Sequence, residues 1–124
     1  MSTKIGDIES FVGLDYKTVK LLMKKSCIQI DRMANTLLYM ESADMLLCES
    51  YCKEYELLLI ERLDFCRKLN EYYTEDRKKS CWLFRILIDR HIRLVSTLHK
   101  ETLSQLMLLR NYVELHKKEG KFID

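Results

Sequence analysis

Between Gly13 and Gly120 the chain contains neither glycine nor proline. Tight turns lean on glycine for left-handed conformations and on proline for a fixed φ. A run this long without either leaves few places to reverse direction and favours long helices. It argues against a loop-rich sandwich. Glycines at 6, 13 and 120 alone also give no glycine-rich phosphate loop. An apolar share of 48% and a net charge of +2 exclude a disordered chain, and 124 residues suggest one domain.

Periodicity fills in the helices. From Asp15, apolar residues recur at Tyr16, Val19, Met23, Cys27, Ile30, Met33, Leu37 and Met40, in steps of three and four. Asp15 is placed to cap this first helix. Met40–Asp44 reads as a tight connection with Ser42 as the next cap. A second helix is expected from about Ala43 to Tyr73, burying Leu47, Cys48, Tyr51, Tyr55, Leu58, Leu59, Arg62 or Leu63, Cys66 and Leu69. Thr74 reads as the cap of a third stretch, Glu75 to Lys118. Its buried face is Phe84, Leu87/Ile88, His91, Leu94/Val95, Leu98, Thr102, Leu106, Leu109 and Val113. Gly120 ends it. The fold expected is all-α: an antiparallel three- or four-helix bundle with coiled-coil-like packing and a long C-terminal helix. Residues 1–14 form an extension or short helix, 15–118 the bundle and 119–124 a tail.

At 1.5 Å per residue these helices measure roughly 40, 45 and 65 Å. The third outgrows the others, so it either breaks near Ser96-Thr97 or Lys100–Thr102, or its end stands free. A free end bearing Leu103, Leu106, Met107, Leu109 and Val113 needs a cover. Trp82, Leu83 and Phe84 make another turn apolar nearly all round, the pattern of a helix buried on more than one side. These eight residues are the expected partner-binding surface.

Charge is segregated. Residues 41–76 hold four basic and ten acidic side chains, and residues 77–124 hold eleven basic and five acidic. Pairing of the acidic second helix with the basic third is the simplest reading. A basic strip of Arg77, Lys78, Lys79, Arg85, Arg90 and Arg93 facing nucleic acid or an acidic partner is the alternative.

The chemistry of sites is sparse. Cys48 and Cys52 share a helix face at a spacing that gives half a zinc site; cysteine also packs as a small apolar group, which is the reading preferred here. Glu-x-x-His and His-Glu-x-x-His are absent, and no catalytic residue, metal or cofactor is expected. The N-terminus lacks the apolar region of a secretory signal, no apolar run approaches membrane-span length, and the cysteine count is odd. A soluble protein of cytoplasm or nucleus, with reduced thiols, is expected.

Residues 5–25 resemble the bacterial helix-turn-helix pattern, with Gly13 as turn glycine, Leu14 after it, Asp15 as cap and Thr18-Val19 in the second helix. The resemblance implies that Tyr16, Lys17 and Lys20 face a DNA groove. Two functions are therefore carried forward. The first is a non-enzymatic interaction module, a small scaffold or adaptor that self-associates or docks partner helices. The alternative is a small DNA-binding regulator that uses residues 5–25 and dimerises through its long helices.

Overall fold

The computed structural model describes residues 15–43, 45–46 and 48–122. Residues 5–14 of the helix-turn-helix resemblance lie outside this range, as does Leu47 of the expected core. The described chain is all-helical: α1 (Tyr16–Ser42), α2 (Glu49–Lys79) and α3 (Trp82–Lys118).

α1 begins where its cap dictates. The Asp15 carboxylate accepts from the Thr18 N–H at 2.8 Å, and that bond holds its pKa below the usual carboxylate value. The helix buries Val19, Met23, Ile30, Met33 and Leu37. Ser42 does not cap a following helix. It is the last residue of α1, and its hydroxyl donates back to the Leu38 carbonyl at 2.9 Å. α2 consequently starts at Glu49, later than the expected Ala43.

The junction between α2 and α3 also moves. Thr74 is not a cap, because its hydroxyl donates to the Asn70 carbonyl at 2.7 Å inside an unbroken helix. α2 continues to Arg77-Lys78-Lys79, where cationic side chains suit the negative end of the helix dipole. The Arg77 carbonyl accepts from the Ser80 N–H at 3.3 Å and from Arg85 of α3 at 3.1 Å, and Arg77 pairs with Asp89 at 2.6 Å. The turn itself is only Ser80-Cys81.

α3 then runs 37 residues without a break at 96–102. It ends in a Schellman turn: Gly120 sits at φ +67°, its N–H bonds the Lys117 carbonyl, and the Lys121 N–H bonds the His116 carbonyl. On the rise per residue, α1, α2 and α3 are about 40, 46 and 56 Å long. Lys117 near the end of α3 meets Glu49 at the start of α2 at 2.8 Å, and Arg110 meets Glu56 at 2.7 Å. These contacts make α2 and α3 run in opposite directions, with acidic α2 facing basic α3.

They also remove the expected free end. Leu106 and Leu109 are buried with Ile30, Met33, Leu37, Cys52, Tyr55 and Leu59 in one core, and Val113 packs on it half-buried. Leu106 and Leu109 thus pack internally, whereas Val113 stands half-buried at the edge of this core. α2 packs along this end of α3, whose outer face still exposes Leu103, Met107, Leu108 and Leu115.

A second core joins Val19 and Met23 of α1 to Phe65, Cys66, Leu69 and Tyr73 of α2. Here α3 contributes only half-buried Ile88, Ile92, Val95 and Leu98. Every fully buried α3 side chain (Thr102, Leu106, Leu109 and His116) lies in its C-terminal half.

Candidate docking surface

Among the described residues the N-terminal half of α3 is the less buried, although a cleft of about 300 Å³ lined by Leu37, Leu38, Leu108 and Leu109 also opens between α1 and its C-terminal half. Tyr16, at the start of α1, rests edge-on against Tyr73, their hydroxyls 3.1 Å apart, and Tyr73 in turn stacks on His91. The described part of α1 thus stops close to the level of His91. The first turns of α3 beyond that point meet chiefly the last turns of α2. Trp82 is 71% exposed, and Leu83, Phe84, Ile86 and Leu87 are exposed around it. Phe84 and His91, expected in the core, are exposed; of the expected pairs Leu87/Ile88 and Leu94/Val95, Ile88 and Val95 pack half-buried on the core while Leu87 and Leu94 are exposed.

From this end a groove runs between α1 and α3. Its mouth is lined by Tyr16, Tyr73, Phe84, Leu87 and His91. It continues as a cleft of about 640 Å³ with Leu69 at its floor and Leu94 and Leu98 on the α3 wall. The α1 wall carries Lys17, Lys20 and Lys24. At the opposite end of the molecule the space between α1 and α3 is bridged. Tyr112 donates to the Glu41 carboxylate at 2.7 Å, and buried His116 lies 3.5 Å from it. The Tyr112 bond holds Glu41 below the usual carboxylate range, while burial and that same carboxylate raise the Tyr112 phenol.

A polar layer separates the two cores. Arg62, only 4% exposed, donates from Nε to the Thr102 hydroxyl at 2.8 Å, from one terminal nitrogen to Gln105, and from the other to the Cys27 sulfur at 3.7 Å. The Thr102 hydroxyl in turn donates a hydrogen bond to the Leu98 carbonyl at 2.7 Å. By spacing, Arg62 and Leu63 have equal claim to this position. Arginine wins because hydroxyl, carboxamide and sulfur all converge on it. The partners the Arg62 guanidinium finds here are all uncharged groups.

Of the other expected binding residues, Leu103 and Met107 are exposed, on α3 but away from the groove lining. The helix-turn-helix candidates divide. Tyr16 is half-buried and turned to Tyr73, whereas Lys17 and Lys20 are exposed, with the Lys20 ammonium 5.5 Å from the Tyr16 ring centre. Cys52 is buried, Cys48 is half-buried with its sulfur 2.8 Å from the Ser50 hydroxyl, and no cluster of three metal-ligating side chains occurs among the described residues. Burial pushes the Cys66 thiol up to about 11, whereas the N–H groups of Phe84 and Leu83 at the start of α3 lower that of exposed Cys81. No described helix is long and apolar enough to cross a membrane.

No protein-family model matches the chain, and no curated protein or solved structure matches it either.

Proposed function

We propose that this chain is a non-enzymatic interaction module, a small helical scaffold or adaptor that works by docking helices against the exposed half of α3. We read its three helices as an antiparallel bundle with coiled-coil-like packing in which one face is left to a partner. One observation carries this reading: the N-terminal half of α3 has no fully buried side chain, although it bears Trp82, Leu83, Phe84, Ile86, Leu87 and Leu94. Contiguous apolar surface of this kind marks an interaction site, and tryptophan is the residue most often found carrying its energy.

The test is a comparison of captures. The chain and its Trp82→Ser/Leu83→Ser/Leu87→Ser variant are each used as bait, with co-purifying proteins quantified by mass spectrometry and helicity checked by circular dichroism. Proteins or second copies retained by the first and lost from an equally helical variant support docking through α3. Identical captures from both would count against it.

A further inference from the structure

The groove between α1 and α3 constrains its occupant more than exposure alone does, and the nature of that occupant rests on the docking function proposed for the chain. Asp76 and Lys79 both line the mouth of the groove; the cleft beyond contains Lys17, Lys20 and Lys24 and, among the described residues, no carboxylate. All three lysines are exposed on one wall, spaced as successive turns of α1. The floor and opposite wall are apolar, with Leu69, Leu98 and Leu94, the last 62% exposed. We infer that the groove takes an amphipathic helix from a partner protein, with an apolar stripe flanked by glutamate or aspartate. The stripe sits on Leu94 and Leu98 as a fourth helix of the bundle, and the acids meet the lysine wall.

Two features of the groove select a helix of this kind. Walls formed by two helices leave the furrow into which side chains at i, i+3, i+4 and i+7 interdigitate. The second feature is the one-sided charge. Lysine stems add apolar cover while their ammonium groups stay in water, so they attract acids at the rim without a buried ion pair. A basic helix would bring like charges together there, which discriminates against it.

The experiment uses the full chain and two synthetic peptides of about 18 residues, long enough to hold helical structure. Both carry leucine at i, i+3, i+4 and i+7; one is flanked by glutamate and the other by lysine. Binding is followed by fluorescence anisotropy of labelled peptide, to the chain, to Lys17→Glu/Lys20→Glu/Lys24→Glu and to Leu94→Asp. The expected result is that the acidic peptide binds about tenfold or more tightly than the basic one at low salt. The triple reversal inverts that order, and Leu94→Asp abolishes binding of both.

Equal binding of the two peptides, or an order unchanged by the reversal, would overturn the acidic occupant. If Leu94→Asp still abolished binding in that case, docking on the groove would stand alone. Binding insensitive to both substitutions would remove the groove from the docking surface. Failure of either peptide to bind, with binding restored in Ile8→Asp/Phe11→Asp, would give the groove to the chain's own first residues and overturn the partner. A dimer dispersed by Leu94→Asp would overturn it in favour of a second copy.

Discussion

Thr102 is the residue on which the polar layer turns. Its hydroxyl accepts from Arg62 and donates to Leu98, so a valine of the same shape leaves a buried guanidinium nitrogen without its partner. Thr102→Val is expected to lower stability by about 1–3 kcal/mol, and Thr102→Ser to restore most of it, both read from urea unfolding. Periodicity places Thr102 on the inner face but is silent on its role, because the hydroxyl's partner comes from another helix. Glu61 supplies the pH signature. Burial, then the nearby Asp64 charge, raises its pKa above the usual 4.5. A carboxyl raised in the folded state favours the protonated form, so the wild type loses stability as pH rises through that window. Glu61→Gln is therefore expected to melt higher than wild type at neutral pH. The gap should close as pH falls below the ordinary glutamate value. A lower melting temperature for the variant at neutral pH would contradict this.

Among the elements, three helices and most of their inward faces are legible from spacing alone. Asp15 is legible too, since a carboxylate before an apolar-periodic run has a local job. The misplaced boundaries share one cause. Ser42 and Thr74 look like caps in sequence, yet a hydroxyl inside a helix satisfies itself on the carbonyl four residues back. The real end of α2 is fixed by Arg85 and Asp89, which come later in the chain and act through space. The continuity of α3 has a similar origin. A break near Ser96-Thr97 or Lys100–Thr102 is one of two readings the sequence leaves open, and α3 crosses both places intact, with Thr102 anchored to Leu98 and to Arg62. Amide hydrogen exchange checks this: the N–H groups of 98–102 are expected to be protected as well as those of 104–109. Fast exchange confined to 96–102 would restore the four-helix reading.

Across the molecule, the consequential difference between expectation and structure is where α3 is left uncovered. Lengths alone point to its C-terminal end, but Lys117, Arg110, Leu106 and Leu109 are all engaged there. Among the described residues the other end has no fully buried α3 side chain, because the turn falls at Ser80-Cys81 and the described part of α1 reaches only to about the level of His91. Trp82, Leu83 and Phe84 are exposed, whereas Leu106 and Leu109 are buried and Val113 is half-buried. Charge segregation, also visible in the sequence, partly serves to pair α2 with α3, while the lysines along the groove belong to α1 and lie outside that segregation. The chain has a single tryptophan, and it stands on this surface. Acrylamide quenching of Trp82, in the dilute chain and in its complex with a captured partner, is the decisive measurement. Docking through α3 predicts strong quenching in the free chain and marked protection in the complex. Protection already present in the dilute monomer, or equal quenching in both, would contradict it.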